Sequence, residues 1–343
     1  MPVPARAVPA ISVLLPVFNA AGTVGRAVAS IRRQTWADWE LVAVDDGSTD
    51  GSAAVLADAA RTDPRIRVVA RPHGGIVAAL HAGLAAARGG LIARMDADDE
   101  SAPDRLAAQL RFLEEQPDVG VAGCLVAFGG DRAARAGFAL HVDWLNSVVS
   151  PEAIVLNRFI ESPFAHPSLM FRRELIDRHG GYRDGAFPED YELVLRWMEA
   201  GVRMAKVPRV LLTWFDSPGR LSRTDPRYAP EAFFRLKAGW LARAVARQRA
   251  DRALIVWGAG RPTRKRAAHL EEHGLTIAGY VDIDARKTGR VLAGRPVIAP
   301  DALPAPEHAF VLGYVAKRGA RELIRARLAA RGYVEGGDFL MCA

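Results

Sequence analysis

The sequence predicts an α/β protein built on a parallel, doubly wound sheet, followed by a smaller Rossmann-like α/β domain. Three observations carry this expectation. Short apolar or β-branched runs alternate with amphipathic stretches through the first hundred residues. Acidic clusters follow directly on two of those runs, at 45–46 and 96–99. Past residue 250 the alternation begins again, on the turn Gly258-Ala259-Gly260.

Residues 11–17 (ISVLLPV), 41–44, 66–70 and 91–95 are continuously apolar or β-branched, as strands buried on both faces should be. Between them 23–33, 52–61 and 75–88 carry apolar residues at helical spacing. Ser101, followed by Pro103 at the first helical position, predicts a further helix through Glu115. The stretch 129–184 is less regular, with one strand-like piece at 168–171. A helix is expected from Pro188-Glu189-Asp190 to Ala200, stopped by Gly201. Residues 228–249 read as one amphipathic helix, with Phe233, Leu236, Trp240, Leu241 and Val245 on a common face and Arg235, Arg243 and Arg247 elsewhere. Strands at 254–257, 277–281 (leading into Asp282) and 311–314, with a helix at 318–331, form the second α/β unit. The expected division is 1–228, a basic amphipathic linker helix 229–250, and 251–343.

Half of the 343 residues are apolar and a quarter charged, an ordinary globular composition with no fixed-period repeat. Cys124 and Cys342 are too far apart in sequence for a metal knuckle and imply no disulfide framework, so a reducing compartment is expected. The sequence has no apolar run of the ~18 residues a spanning helix needs, and residues 1–10 do not read as a signal peptide. The expected location is the cytoplasm, with peripheral contact at the inner membrane face as a further expectation. The net charge of +7 favours an anionic partner, a membrane surface or a phosphorylated substrate, although a basic balance first of all sets solubility. The basic helix 228–249 has two readings: it lies on an anionic membrane, or it packs its aromatic face between domains. No nucleic-acid partner is expected.

The chemistry concentrates at two strand ends. In Met95-Asp96-Ala97-Asp98-Asp99, three carboxylates fall within four residues, directly after a buried strand. That places them at the carboxyl edge of a parallel sheet, where ligands bind in such folds. Like charges packed there repel unless a cation neutralises them, and Mg²⁺ characteristically takes one or two carboxylates together with substrate phosphates. An Asp-x-Asp pair therefore suits a metal–diphosphate. Val44-Asp45-Asp46-Gly47-Ser48-Thr49-Asp50 also follows a buried strand. It reads either as a turn into a helix cap or as a carboxylate that accepts a hydrogen bond from a nucleobase, with Pro16-Val17-Phe18-Asn19 as the opposite wall.

Taken together, ISVLLPVFNAAGTV, LVAVDDGSTDGS, ALHAGLAAARGGLIARMDADD and FPEDYELVLRW resemble the inverting glycosyltransferases of family 2, which have the GT-A fold, a Rossmann-like mixed sheet. The resemblance covers roughly residues 11–215. It implies that Pro16, Phe18 and Asp46, with Asn19 and Asp45 beside them, line a uridine pocket. It implies that Asp96 lies on the ribose side, and that Asp98, with Asp96, holds a divalent cation, Mn²⁺ or Mg²⁺, bridging both phosphates. Glu189 and Asp190 then face the acceptor, with Asp190 as general base, and His166 sits near the acceptor. One displacement inverts the anomeric centre, so no covalent nucleophile is needed. At the first turn of a helix, the dipole is expected to lower the pKa of Asp190.

Two departures stand out. His81 occupies a position where the family commonly has Asn. The region 213–223 contains no His where many members carry one near the metal or diphosphate, so Arg220 or Arg223 is expected to meet the diphosphate instead. In the second domain Gly258-Ala259-Gly260-Arg261-Pro262-Thr263 resembles a dinucleotide fingerprint with Thr263 in place of the third glycine, and Asp282 matches the ribose-binding acid loosely. A non-redox role is favoured there. The expected function is a hexosyltransferase-type reaction from a nucleotide-diphosphate sugar, UDP-linked, to a hydroxyl of a cell-envelope glycan or lipid-linked acceptor. The alternatives are nucleotidyl transfer, an NAD-dependent oxidoreductase acting through the second domain, and a non-catalytic binding subunit.

Overall fold

A computed structural model describes residues 8–216 and 219–343. The chain divides into two compact units. The first comprises residues up to Ile154, Pro163–Gly185 and Glu189–Thr224; the second comprises Val155–Ser162, Ala186–Pro188 and Asp225–Ala343. The helix Pro230–Arg249 falls within the second unit. Among the described residues no helix is long and apolar enough to cross a membrane.

In the first unit the strands are β1 (Ile11–Val17), β2 (Trp39–Asp45), β3 (Ile66–Ala70), β4 (Leu91–Arg94), β5 (Glu100–Ser101), β6 (Val119–Gly129), β7 (Met170–Arg172) and β8 (Arg203–Phe215). They form one sheet in the order β3-β2-β1-β4-β7-β6-β8-β5. Strands β1 to β4 are all parallel, as their unbroken apolar character requires. Every residue of β1 is buried. Its side chains alternate between two cores: Ile11, Val13, Leu15 and Val17 pack with Val24, Ile31 and Leu106, while Leu14 packs with Val77 and Leu80. Helix Ile76–Ala86 approaches the sheet closely because Gly83 lies over Leu14, and a side chain there would collide with it.

The second half of this sheet is mixed. Strand β7 runs antiparallel between β4 and β6, and β5 pairs antiparallel with β8. The expected strand at 168–171 is displaced to β7, because His166–Ser168 form a 3₁₀ turn. Ser101 does not cap a helix. It lies in β5, where its N–H donates to Ser30 Oγ at 3.0 Å, and the helix begins only at Arg105. The long parallel pair β6 and β8 has no counterpart in the sequence reading. Cys124 of β6 opposes Val207 of β8 but Leu125 opposes Val210, so Pro208 and Arg209 bulge out of register. The bulge accommodates a proline that has no N–H to give to a ladder.

In the second unit β9 (Ala253–Trp257), β10 (Ile277–Val281), β11 (Val291–Leu292), β12 (Arg295–Ile298), β13 (Ala309–Gly313) and β14 (Phe339–Met341) form a sheet ordered β11-β12-β10-β9-β13-β14. It is parallel except for β11, with β9 flanked by β10 and β13. Helix Pro230–Arg249 buries Phe234, Lys237, Ala238, Leu241, Ala242, Ala244 and Val245. The expected stripe is thus rotated: Phe234 rather than Phe233 is the inward aromatic residue, and Lys237 is inward too. Lys237 is tolerated because its ammonium donates to the main-chain oxygens of Ile160 at 3.1 Å and Cys342 at 2.6 Å.

At the carboxyl end of β2 the chain turns at Gly47, whose φ of 73° is left-handed and whose added Cβ would lie 2.6 Å from His73 N. Gly47→Ala is therefore expected to lower unfolding free energy by ~1–3 kcal/mol, read as a fall in the urea midpoint at unchanged m-value.

Candidate active site

The order β3-β2-β1-β4 makes β1 the point where the chain reverses its direction of travel across the sheet, and ligands bind outside the carboxyl ends of strands at such points. The strand ends are tied together there. Asp46 N–H donates to Val17 O at 2.9 Å, Arg71 N–H to Asp45 O at 3.0 Å, and Met95 N–H to Leu14 O at 3.0 Å. Pro16 is buried near the end of β1, and Phe18 emerges from it 46% exposed. Phe18 stacks on His73 with ring centroids 4.0 Å apart. Asn19 adopts a left-handed φ of 47°, a conformation Asn tolerates better than most residues. Its side-chain oxygen accepts from Thr49 N–H at 2.8 Å, so Asn19 clamps the 48–50 turn.

The two acids of the first cluster are buried and engaged by their own chain. Asp45 Oδ1 accepts from Ser48 N–H at 3.1 Å. Asp46 accepts from Gly75 N–H at 2.8 Å and from Gly74 N–H at 3.2 Å, and pairs with Arg71 and with His73 at 2.9 Å. The Asp46 carboxylate thus organises the loop 71–75 beside the exposed Phe18–His73 stack.

The second cluster is of a different kind. One carboxylate oxygen from each of Asp96, Asp98 and Asp99 lies within 4.8 Å of the other two. Asp99 is fully buried; its Oδ1 accepts from Phe215 N–H at 2.9 Å, and its Oδ2 has no partner among the described residues. Burial, then the charges of Asp96 and Asp98, push its carboxyl well above the usual range. A buried carboxylate oxygen left unmet among like charges is the donor set of a hard divalent cation, so the residues fit one. The sequence reading omitted Asp99 from that set. Asp96 behaves oppositely. Burial opposes its charge, but Arg94, at 2.6 Å, and Arg220 hold its carboxyl below the usual range. Arg26 donates to Asp98 O at 2.7 Å while its guanidinium lies 3.9 Å above the Phe215 ring.

Helix Glu189–Glu199 begins with the two other candidate acids. Glu189 is buried, and Asp190 Oδ1 accepts from Tyr191 N–H at 2.7 Å. The expected lowering of the Asp190 pKa is overturned. Burial and the charge of Glu189 outweigh the helix terminus and push it up to about 7. Tyr182 and His166, both buried, hydrogen-bond to each other, with Nε2 2.7 Å from the hydroxyl. Burial, then Arg94, keeps His166 well below its usual pKa and therefore neutral near pH 7, while burial raises Tyr182. Arg94, Tyr182, Glu189, Asp190 and Asp96 act on one another electrostatically, so Asp96 and the acids that open the helix share the neighbourhood of Arg94 and Tyr182. Neither Arg94 nor Tyr182 was singled out from sequence. A charge inside the apolar run Leu91-Ile92-Ala93-Arg94-Met95 was the available signal for the first. Tyr182 is fixed from behind: Arg196, paired with Glu192 at 2.9 Å, donates to Gly180 O at 2.9 Å and Gly181 O at 2.6 Å. His81 also serves Tyr182, with Nε2 2.8 Å from its main-chain oxygen.

Arg220 and Arg223 part company. Arg220 lies over Trp214, 4.7 Å from its ring, donates to Phe215 O at 3.0 Å, and acts on both Asp96 and Asp99. The Arg223 fork is bound two-pronged to Asp216, whose side chain is fully buried. In the second unit the Asp282 carboxylate is also engaged, by Ala259 N–H at 2.9 Å, Asp284 N–H at 2.9 Å and Lys287 at 3.0 Å. Both oxygens that would read a ribose are therefore occupied by the glycine turn and its neighbours.

Residues 12–180 match the model of the glycosyl transferase family 2. The chain is 33% identical over 203 residues to the glycosyltransferase EpsE of Bacillus subtilis (strain 168), covering 57% of this chain and 69% of EpsE. It is 30% identical over 208 residues to the amylovoran biosynthesis glycosyltransferase AmsE of Erwinia amylovora, 59% of this chain and 74% of that one. In fold it is similar to S. aureus TarS, residues 1–349, solved with UDP-GlcNAc, at a TM-score of 0.53 and 16% identity, over 77% of this chain and 71% of that one. With a curled mixed sheet of the GT-A type and this sequence kinship, the chain belongs to glycosyl transferase family 2.

Proposed function

We propose that the first unit transfers a sugar from a nucleotide-diphosphate donor, UDP-linked, to a hydroxyl of a glycan or lipid-linked acceptor in polysaccharide biosynthesis, with inversion. The observation that carries this reading is the set Asp96, Asp98 and Asp99, three clustered carboxylates with one buried, unmet oxygen, at the reversal point of the sheet. The kinship with a named amylovoran biosynthesis enzyme supports the polysaccharide context. When bound, Mn²⁺ or Mg²⁺ supplies Lewis-acid neutralisation of the departing diphosphate.

The residues of the chain divide the remaining work. Phe18, beside His73, offers an aromatic face for the base, and Asp46 sets the loop that carries His73. Arg220, close to the acid cluster on its aromatic seat, meets the diphosphate. Asp190 takes the acceptor hydroxyl proton as the new bond forms, a contribution of ~10²–10⁴-fold. Glu189 beside it raises its basicity, and neutral His166 with Tyr182 orients the acceptor.

UDP release from UDP-sugars in the presence of Mn²⁺ is expected to fall at least ~10²-fold in Asp98→Ala and to vanish with EDTA. Full-speed transfer by a variant with asparagine at both 96 and 98 would defeat the reading. The pH profile follows from Asp190. As the base it must be ionised, so kcat/KM is expected to rise with pH and level off above about 7. Stability runs the other way. A carboxyl whose folded pKa lies above its unfolded value of 3.8 contributes stability that is complete below 3.8 and lost as pH rises through about 7. Asp190→Asn keeps the acceptor for Tyr191 N–H while removing the charge. It is expected to abolish transfer, to melt ~2–4 °C above wild type at pH 8, and to melt with wild type at pH 4.

A further inference from the structure

Beneath the acid cluster lies a charge for which donor binding gives no direct reason. Arg94 ends β4, in register with Leu14 of β1, and is 1% exposed. A guanidinium withdrawn from water needs an anion and acceptors, or its burial costs several kcal/mol; both amino groups of Arg94 find them, while its Nε has no partner among the described residues. Asp96 is that anion: Nη2 of Arg94 donates to Asp96 Oδ1 at 2.6 Å. The other amino group donates to the main-chain oxygen of Met95 and reaches that of Leu14 at 3.5 Å. With one oxygen of Asp96 held from below, what Asp96 offers to a ligand is the other.

The arm that carries this fork is itself immobilised. Arg94 N–H donates to Leu169 O at 2.8 Å, and Met95 N–H donates to Leu14 O at 3.0 Å. A second buried arginine, Arg105, donates to Arg94 O at 2.7 Å and is held in turn by Gln109 Oε1 at 2.9 Å. Gln109 reaches on to Ala122 O and Ser168 O, at 2.7 and 2.8 Å. The guanidinium therefore belongs to the sheet, while the carboxylate it grips belongs to the loop that follows.

We propose that Arg94 is a positioning residue for the donor-side cation, fixing Asp96 so that one carboxylate oxygen is presented to a metal shared with Asp98 and Asp99. The inference rests on the metal-assisted reading above. Groups that orient a metal-ligating side chain typically govern ~10–100-fold of metal affinity, because a free carboxylate must be ordered at the moment of binding. Arginine suits the task and lysine does not: its planar fork grips the carboxylate and the strand carbonyls together, where an ammonium is a point charge on a flexible stem.

The test is Mn²⁺ affinity in the presence of UDP, followed by the electron paramagnetic resonance of free Mn²⁺, with melting temperature recorded for each protein. Arg94→Lys and Arg94→Gln are expected to weaken Mn²⁺ by ~10–100-fold. In an Asp96→Asn background, Arg94→Lys is expected to weaken it no further, since the residue acts through Asp96. A folded Arg94 variant that binds Mn²⁺ like wild type, while Asp98→Ala does not bind it, overturns the positioning role and leaves the transferase reading intact. Wild-type Mn²⁺ affinity in Asp96→Asn alone overturns it as well, and this arm remains if neither Arg94 variant folds. A wild-type protein that binds no Mn²⁺ with UDP brings down both.

Discussion

The constraint on which this site depends is mutual repulsion among acids brought together where water is scarce. Asp96, Asp98 and Asp99 come from one loop, and Glu189 and Asp190 from the start of one helix. Asp99 and Glu189 are almost completely buried. A pair of like charges there costs far more than on a surface, because the effective dielectric is low. The protein answers with Arg94 below and Arg220 to one side, and two acids remain uncompensated, as their raised pKa values show. Raised carboxyl pKa values of this kind cluster at functional sites.

The sheet makes this concentration feasible. Strand β2 ends level with β1, Asp45 opposite Val17, while β4 ends opposite Leu14, and main-chain hydrogen bonds tie the residues that follow β2 and β4 to β1, so three acidic or aromatic turns leave the same edge of the sheet. The loops themselves are stiffened by local polar contacts: Asn19 on the 48–50 turn, Asp46 on the 71–75 loop, Arg196 on the turn before Tyr182. Several residues that look like ligand readers in the sequence thus also shape the backbone, and the two roles are compatible. A turn must be held before a side chain on it can recognise anything.

How much of this was legible follows from the kind of signal each part carries. Strands β1 to β4 could be read because burial on both faces leaves an unbroken apolar run, and the acids immediately after them inherit their position from that. Strands β6 and β8 could not. The first mixes glycine and small residues, and the second contains Pro208, which reads as a break until the bulge opposite Cys124 and Leu125 is seen. Ser101 and Pro103 carried a sound helix-start signal that tertiary pairing with β8 overrode. In helix Pro230–Arg249 the rotated stripe follows from Lys237, whose burial periodicity does not announce because carbonyls from distant segments make it affordable. At Asp190 the helix start lowers the pKa locally, but burial and the neighbouring Glu189, neither visible in a local stretch of sequence, outweigh it.

That reversal also separates the acids by the direction of their pKa shifts. When two carboxylates in one site are driven apart in pKa, the one held low serves as a permanent anion and the one held high can exchange a proton near neutrality. Asp96, gripped by Arg94, is the first kind. Asp190, half-buried beside Glu189 and accepting a hydrogen bond from its own helix, is of the kind held high. Neutral His166 and protonated Tyr182 add no charge to blur the difference. Arg94, with Arg220 beside it, grips Asp96 and not Asp190, and that difference in neighbours moves chemically identical side chains in opposite directions.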